Sequence, residues 1–253
     1  HLFLIHNRDR IGDMWHGKKV SVVFSTYREK SSIRKAIDDY FATGFVDEIV
    51  VVNNNAEQGT DEEVKQTKAR LVHEIKQGYG YGYQRGIKEA TGDYIFLSEP
   101  DGTFEASDIE RFLVYAKDFP VVVGTRTNQS SILDGASMGL LRKLANVFEA
   151  KVIEVLFATN SLTEIGCTCK LFRRDVLEQI EPLWRTTNAL FATELLLLVV
   201  AKRIKFIEIP ITFQGRIGRS ALTARWYHLT KWGLHILWFI IFYWFRWITG
   251  RSK

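Results

Sequence analysis

Short apolar runs and stretches of helical spacing alternate along the first half of the chain. Five runs rich in β-branched residues predict strands, over 19–24, 48–52, 71–74, 94–97 and 121–123. Three stretches between the first four runs predict helices, over 33–41, 60–70 and 82–90. The run over 48–52 is almost continuously apolar, as expected for a strand with both faces covered. This order predicts an α/β fold with a mainly parallel central sheet, flanking helices and right-handed crossovers.

Polar segments follow three of these strands, at the point where each strand ends. They lie at 25–27, 53–55 and 99–101. Because ligands of open parallel sheets bind beyond the carboxyl ends of the strands, we expect these segments to converge on one crevice. Farther along, the pattern predicts helices over 146–157 and 193–202 and a strand over 203–210.

The segment over 232–248 contains 17 residues, most of them large and apolar, and is interrupted by His235 and Arg246. Five of the seven tryptophans lie between Trp226 and Trp247. A helix that spans a bilayer needs about 20 apolar residues, so this segment is short. Tryptophans beside basic residues favour a helix that lies in the headgroup region of a membrane. A buried core helix is the alternative.

Length and charge divide the chain into unequal parts. We expect an N-terminal extension over 1–18, an α/β domain over 19–223 and a basic, aromatic, membrane-associated helix over 224–253. Seven basic residues and no acidic residue follow Glu208, which leaves 27 basic against 29 acidic residues before them. Because the positive charge belongs to the end of the chain, we expect a membrane surface as partner and no nucleic acid.

Cys167 and Cys169 are the two cysteines of the chain. Separated by one residue, they are poor disulfide partners and too few for a zinc framework. The pattern favours buried thiols in a reducing compartment. With the basic end of the chain, it predicts a protein on the cytoplasmic face of a membrane, peripheral or anchored by its C-terminal helix. A homo-oligomer is compatible with the sequence.

Glu99 and Asp101, separated by Pro100, end one of the inner strands. Mg²⁺ in proteins takes one or two carboxylates together with phosphate oxygens, so this pair is a candidate site for Mg²⁺ or Mn²⁺. Such a cation offsets charge on a leaving nucleoside diphosphate. The glycine-rich stretch that begins at Gly78 precedes a helix and would let backbone approach a ligand. Cationic candidates for phosphate oxygens are Arg126, Arg142, Lys170 and Arg216.

Six motifs together resemble those of glycosyltransferase family 2. They are FSTYRE at 24–29, VVVNNN at 50–55, GIKEATGDYI at 86–95, EPDGT at 99–103, GTR at 124–126 and FQGRIGRS at 213–220. The fourth resembles the D-x-D motif of that family, and the last its F-x-x-R-x-G-x-S. Within the family, the chain is similar to polyprenol-phosphate sugar synthases such as dolichol-phosphate mannose synthase. The resemblance covers about 19–223 and implies the Rossmann-like GT-A fold.

The resemblance also implies roles for individual residues. The metal would be held by Glu99 and Asp101, and the catalytic residues would be Asp101, Glu194 and Arg126, with Glu194 on the acceptor side. The nucleotide would be bound by Ser25, Thr26, Tyr27, Glu29, Asn53, Asn55, Gly78, Glu99 and Pro100. Donor or acceptor phosphate would contact Arg126, Arg142, Lys170, Arg216 and Ser220.

Three positions depart from the family pattern. Glu99 replaces the usual Asp, which lengthens one metal ligand by a methylene. Asn53 replaces a common Asp and removes a charged acceptor for the base. EIGCTCK at 164–170 replaces a D-x-x-S-G-F-R pattern, and Lys170 lacks the bidentate geometry of Arg.

The charge of the acceptor distinguishes the functional hypotheses. A lipid phosphate carries about −1.5 to −2 charges near neutrality and needs cations rather than a general base. The first hypothesis is therefore a transferase that moves a sugar from a UDP- or GDP-sugar to a membrane lipid acceptor, polyprenyl phosphate in particular, with the inversion that the resemblance implies. The second is a GT-A transferase that extends a saccharide or lipid-linked glycan through a hydroxyl. A hydroxyl acceptor requires a base, for which Glu194 and Glu164 are the candidates.

Two further hypotheses come from other classes. A non-catalytic membrane adaptor that retains the fold would account for the altered residues Glu99, Asn53 and Lys170. Nucleotidyl transfer is disfavoured because the chain lacks an N-terminal glycine-rich loop followed by a lysine.

Overall fold

The computed structural model of the protein describes residues 10–11, 14–128, 139–217 and 226–250. The strands are β1 (Arg10–Ile11), β2 (Met14–Trp15), β3 (Val20–Thr26), β4 (Glu48–Asn53), β5 (Arg70–His73), β6 (Tyr94–Ser98), β7 (Val121–Thr125), β8 (Lys170–Arg173) and β9 (Phe206–Pro210). The helices are α1 (Lys30–Ala42), α2 (Thr60–Lys65), α3 (Tyr79–Glu89), α4 (Ile109–Ala116), α5 (Leu140–Phe157), α6 (Arg174–Ile180), α7 (Phe191–Ala201) and α8 (Trp226–Ile248).

Seven strands form one sheet in the order β5-β4-β3-β6-β8-β7-β9. Strand β8 is antiparallel to both of its neighbours, and every other pair of neighbours is parallel. The predicted α/β fold with a mainly parallel central sheet is confirmed. Strands β3, β4 and β6 lie side by side and run in the same direction, so their carboxyl ends meet at one edge, as expected.

The two faces of the sheet are covered by different helices. Val22 and Phe24 of β3 pack into a cluster with apolar side chains of α1 and α4. Val23, which points to the other face, joins a cluster built from α3, α5, α7 and α8. A Cβ at Gly86 of α3 would collide with the Val23 side chain, so glycine lets α3 lie close against β3.

Several predicted boundaries are wrong for local reasons. The helix predicted over 60–70 ends at Lys65, where the Thr67 hydroxyl accepts a hydrogen bond from the Ala69 amide at 3.1 Å and closes a turn. The strand predicted from 203 begins at Phe206, because Arg203 adopts a left-handed conformation that terminates α7.

Strand β8 and helices α4 and α6 were not predicted. The four residues of β8, KLFR, contain no β-branched side chain and carry a charge at each end. The strand is specified by the neighbours between which it inserts, β6 and β7, which lie far from it in sequence. Just before β8, Cys167 and Cys169 are buried free thiols, as the sequence predicts.

The C-terminal helix α8 begins six residues before the predicted segment over 232–248. One side of α8 packs against α5 and α7, with Ile240 and Tyr243 buried there. The Trp247 indole donates a hydrogen bond to the Ala201 carbonyl at 3.0 Å. One side of α8 is therefore part of the core, as the alternative prediction of a buried core helix requires. None of the helices within the described residues combines the length and the apolar character that crossing a bilayer requires.

Candidate active site

The Glu29 carboxylate organises the turn that follows β3. Its Oε2 accepts hydrogen bonds from the backbone amides of Tyr27 and Arg28, both at 2.8 Å, and from the Thr26 hydroxyl at 3.2 Å. Its Oε1 accepts a hydrogen bond from Arg216 Nη2 at 3.0 Å. Thr26 is buried, whereas the Tyr27 ring is exposed at the carboxyl end of the strand.

Asp101 lies buried just beyond the end of the neighbouring strand β6. Its Oδ1 accepts hydrogen bonds from the amide and the hydroxyl of Thr103 at 2.9 and 2.5 Å. Its Oδ2 accepts no hydrogen bond, and the nearest cation is Arg216 Nη1 at 3.3 Å. The Arg216 guanidinium therefore bridges Glu29 and Asp101, two predicted site residues that follow the adjacent strands β3 and β6.

Glu99 is the second carboxylate of the predicted metal site and is partly exposed. It accepts a hydrogen bond from the Thr168 hydroxyl at 2.5 Å, and Thr168 is also bonded to the Tyr79 hydroxyl at 2.7 Å. Two causes raise the pKa of Glu99 to about 7: burial is the larger, and the nearby Asp101 carboxylate is the second. A carboxyl whose pKa is raised by a second carboxylate nearby lies in a site with excess negative charge.

The residues present fit a divalent cation. Asp101 presents a buried oxygen without a hydrogen-bond partner, and Glu99 supplies a second carboxylate close to it. The described residues contain no group of three or more His, Cys, Asp or Glu side chains that could hold a metal. This composition agrees with Mg²⁺ or Mn²⁺ bound by one or two protein carboxylates and completed by phosphate oxygens, rather than with an all-protein cage.

Three asparagines, the last residue of β4 and the two that follow it, build a loop. Asn53 donates to Asp61 Oδ1 at 2.6 Å and accepts from the Ala56 amide at 2.7 Å, so its side chain folds back on its own segment. Asn55, in a left-handed conformation, donates to the Ile75 carbonyl at 3.0 Å. Asn54, which the sequence analysis did not select, is buried and bonds the backbone over 74–78, including the Gly78 amide at 2.8 Å.

The glycine-rich stretch contacts protein rather than an open cleft. A Cβ at Gly80 would lie 2.6 Å from the backbone of Thr187, and one at Gly78 would collide with the same residue. A Cβ at Gly82 would collide with Ser25, whose side chain is partly buried. The expectation that these glycines admit a ligand is corrected: they admit the segment over 186–187 and the end of β3.

Pro100 is buried beside Asp101.

Arg126 and Glu164 form a buried ion pair. Glu164 accepts hydrogen bonds from the Arg126 amide at 2.6 Å, from its Nε at 2.9 Å and from its Nη2. Burial lowers the pKa of Arg126, but the charge and hydrogen bonds of Glu164, together with other acidic groups nearby, outweigh burial and hold the pKa of this guanidinium above its usual range. Arg126 is therefore neutralised by a protein carboxylate, although its side chain keeps 20% of its surface exposed.

Lys170, a predicted phosphate contact, is buried. Its Nζ donates to the Cys167 carbonyl, and burial lowers the pKa of the ammonium. This burial accompanies the departure from the family pattern at this position, where Lys replaces Arg. Arg142 lies in α5 with its side chain outside the described part, and Ser220 lies outside the described residues.

Glu194 is buried and its carboxylate is fully engaged. It accepts hydrogen bonds from the Arg185 and Thr186 amides, from the Thr186 hydroxyl at 2.6 Å and from the Tyr243 hydroxyl at 2.7 Å. The predicted role as an acidic group facing an acceptor finds no support in this geometry. The side chain instead fixes the segment over 185–187 and contacts α8.

Sequence reasoning missed Thr168 and Tyr79, which hold Glu99. Thr168 lies 69 residues from Glu99 along the chain, and its hydroxyl meets the carboxylate only because β8 inserts beside β6. Tyr79 was within the glycine-rich stretch, but the glycines rather than the tyrosines drew attention. The signal that was available is the alternation of Gly and Tyr over 78–82, in which the Tyr79 hydroxyl makes a polar contact.

Comparison with curated proteins finds several similar chains. The chain is 26% identical over 214 residues to the low-salt glycan biosynthesis hexosyltransferase Agl6 of Haloferax volcanii, covering 81% of this chain but only half the length of that relative. It is 25% identical to the dolichyl-phosphate hexose transferase of the same organism, covering 80% of this chain and 86% of that protein. It is 24% identical to the dolichyl-phosphate beta-glucosyltransferase of Saccharomyces cerevisiae, covering 81% and 70%.

Solved structures of glucosyl-3-phosphoglycerate synthase from Mycobacterium tuberculosis share the fold. The complex with Mn²⁺, UDP-glucose and phosphoglyceric acid superposes with a TM-score of 0.69 at 15% identity, covering 90% of this chain and 80% of that one. The complex with Mn²⁺, UDP and glucosyl-3-phosphoglycerate gives 0.67, covering 88% and 78%.

The family model described as glycosyl transferase family 2 matches residues 21–181, which is more than half of the chain. The matched region contains the turn after β3, the carboxylates after β6 and the Arg126–Glu164 pair. The predicted resemblance is confirmed, and so is the expectation of a transferase enzyme. The chain belongs to glycosyl transferase family 2.

Proposed function

We propose that this protein is an inverting glycosyltransferase that moves a sugar from a UDP- or GDP-sugar to a lipid phosphate, polyprenyl phosphate in particular. Family membership and the names of two relatives, a dolichyl-phosphate hexose transferase and a dolichyl-phosphate beta-glucosyltransferase, support a lipid-phosphate acceptor. The observation that carries the proposal is the buried Oδ2 of Asp101, which accepts no hydrogen bond and faces Arg216 Nη1 at 3.3 Å, beside Glu99 just beyond the end of β6.

The donor would bind where β3, β4 and β6 end. Glu99 and Asp101 would hold Mg²⁺ or Mn²⁺, which when bound offsets the charge that grows on the leaving nucleoside diphosphate. The exposed Tyr27 ring offers a face for stacking against a base. Arg216 holds Glu29 and Asp101 in fixed relation, so the base end and the pyrophosphate end of the site would be positioned by one side chain.

A lipid-phosphate acceptor also agrees with the state of the other carboxylates. A hydroxyl acceptor needs a free general base, but Glu194 accepts bonds from three residues and Glu164 is paired with Arg126. Phosphate needs none, because it is already an anion near neutral pH. Arg126 and Arg216 keep exposed portions that could contact phosphate oxygens, and Arg142 and Ser220 stay as predicted acceptor contacts.

We further propose that the protein works on a membrane surface, on the cytoplasmic side. Helices α5 and α8 pack together and leave an apolar surface uncovered. We call this surface the α5–α8 face; its exposed side chains are Leu144, Phe148 and Val155 of α5 and Leu234, Trp238, Ile241, Phe242 and Phe245 of α8. Exposed rings beside Lys231 and Arg246 are typical of a helix in the headgroup region of an anionic bilayer.

A panel of UDP, GDP and other nucleoside diphosphates, each with and without Mn²⁺, tests the donor site by the shift in melting temperature. Ligands that bind only the native state raise that temperature by mass action. We expect one nucleotide to stabilise the protein more with Mn²⁺ than without. Asp101→Ala should remove the metal-dependent part of the shift, whereas Asp118→Ala, an exposed aspartate after α4, should retain it.

Two outcomes would overturn the proposal. If no nucleotide stabilises the wild-type protein with or without Mn²⁺, the non-catalytic adaptor gains support. If Asp101→Ala shows an undiminished metal-dependent shift, the metal is held elsewhere.

A further inference from the structure

We propose that Glu194 and Tyr243 form a positioning pair that couples the C-terminal helix α8 to Glu99 of the metal site. The inference rests on the proposed function, because it assigns these residues an effect on the donor-bound metal. Neither residue reaches the site directly. The effect would pass through three successive sets of contacts.

The first contact set joins α8 to the segment over 185–187. The Glu194 carboxylate accepts a hydrogen bond from the Tyr243 hydroxyl of α8. It also accepts hydrogen bonds from the backbone amides of Arg185 and Thr186. The carboxylate is buried, so each donor that it loses leaves negative charge less compensated in a place that water does not reach. The conformation of 185–187 is therefore tied to the position of α8.

The second contact set joins that segment to the first turns of α3. The Thr187 carbonyl accepts a hydrogen bond from the Tyr81 amide at 3.3 Å, and the Thr186 carbonyl accepts one from Gln84 Nε2 at 2.8 Å. Gly80 allows this approach, because a Cβ there would lie 2.6 Å from the Thr187 backbone. A shift of the segment over 186–187 would thus displace the start of α3.

The third contact set joins α3 to the metal site. Tyr79, the first residue of α3, shares a hydrogen bond of 2.7 Å with the Thr168 hydroxyl, which donates to Glu99 at 2.5 Å. Thr168 has one hydroxyl proton and donates it in the hydrogen bond to Glu99, so the Tyr79 hydroxyl is the donor in the bond that it shares with Thr168. The orientation of the Thr168 hydroxyl in these two hydrogen bonds depends on where α3 places the Tyr79 ring. Loosening α3 would therefore misplace the Glu99 carboxylate.

Removal of the Tyr243 hydroxyl tests the coupling. In the 253-residue chain, Tyr243→Phe should weaken Mn²⁺ binding, measured by electron paramagnetic resonance with saturating UDP or GDP, by about three- to tenfold. The matched control is Trp247→Phe, which also removes one hydrogen bond between α8 and α7 but does not touch Glu194. We expect the control to bind Mn²⁺ like the wild type, even if both variants melt at a similarly lowered temperature.

A double-mutant cycle separates coupling from general loosening. If the contacts act in series, Tyr79→Phe combined with Tyr243→Phe should weaken Mn²⁺ binding by less than the product of the two single effects. Unchanged Mn²⁺ affinity in Tyr243→Phe, an equal loss in Trp247→Phe, or fully multiplicative effects would each overturn the positioning pair. Failure of the wild type to bind Mn²⁺ with any nucleotide would instead overturn the proposed function, and the pair with it.

Discussion

At the residue scale, the candidate site depends on carboxylates that differ in how many partners they have. Glu29 and Glu194 accept several hydrogen bonds each, whereas Asp101 leaves one oxygen without any. A carboxylate whose oxygens all accept hydrogen bonds positions its neighbours, whereas a buried oxygen that accepts none, and already faces the Arg216 guanidinium, is suited to a cation. The number of hydrogen bonds that a carboxylate accepts therefore distinguishes one that holds the fold together from one that is a candidate metal ligand. The residue type alone does not make this distinction.

Arg216 provides a prediction at this scale, because its two terminal nitrogens contact two different carboxylates. Nη2 bonds Glu29 and Nη1 faces Asp101, a geometry that a single ammonium does not reproduce. Arg216→Lys should lower kcat/KM for the donor by about 10- to 100-fold, given that one charged hydrogen bond is worth about 1.5–3 kcal/mol. Arg173→Lys, which alters an exposed pair with Asp175, should stay within about twofold of the wild type. A near-normal Arg216→Lys enzyme would contradict the bridging role.

At the element scale, the interface between α5 and α8 contains a buried carboxylate. Glu149 of α5 is buried, and its Oε1 would lie 3.5 Å from a Cβ placed at Gly233 of α8. Burial raises the pKa of Glu149 from 4.5 to about 7. We therefore expect the packing of α8 against α5 to depend on whether this carboxyl carries its proton.

The sign of the pH effect follows from linkage. Because the folded state holds the proton more tightly than the unfolded state, this carboxyl makes the free energy of unfolding fall as pH rises from about 4.5 to about 7. The full pKa difference corresponds to up to about 3 kcal/mol, which solvent screening at the helix surface reduces. Glu149→Gln should remove this part of the pH dependence in urea unfolding.

The comparison is between variant and wild type at each pH, since other carboxyls such as Glu208 also titrate with a raised pKa. Glu178→Gln, an exposed glutamate on α6, is the control and should leave the pH profile unchanged. Parallel profiles for Glu149→Gln and the wild type would show that this carboxyl does not titrate differently in the folded state.

At the scale of the whole molecule, the α5–α8 face lies on one side of the sheet and α4 lies on the other. Trp238 and Phe245 expose 66% and 58% of their surface on that face. Replacing both by Ser should reduce sedimentation with vesicles rich in phosphatidylglycerol, because apolar area and charge both contribute to such binding. Wild-type binding should also weaken as salt rises.

The control for the membrane prediction lies on α4. Val114 and Tyr115 are also exposed apolar side chains, but they face the opposite side of the molecule. Replacing both by Ser should leave vesicle binding unchanged. Equal losses in the two double variants, or full binding by the α8 variant, would contradict a membrane role for the α5–α8 face.

The sequence by itself determined the parallel strands and the positions that follow them. Continuous apolar runs such as the one over 48–52 specify strands with both faces covered, and the polar residues at their ends then lie at one edge. Glu29, Glu99, Asp101 and Arg216 were selected in this way or by the resemblance, and the fold brings Glu29, Asp101 and Arg216 together. These features are local, so the pattern of a few adjacent residues is enough to predict them.

Only the tertiary structure decided which charged groups are free. In sequence, Glu194 is a candidate carboxylate on the acceptor side and Lys170 a candidate phosphate contact. The structure shows Glu194 bonded by a loop and by α8, and Lys170 buried. Strand β8 and the contact of Thr168 with Glu99 likewise depend on pairing between segments far apart in the chain. The physical reason is that hydrogen-bond partners and burial belong to contacts between distant segments, which no local pattern encodes.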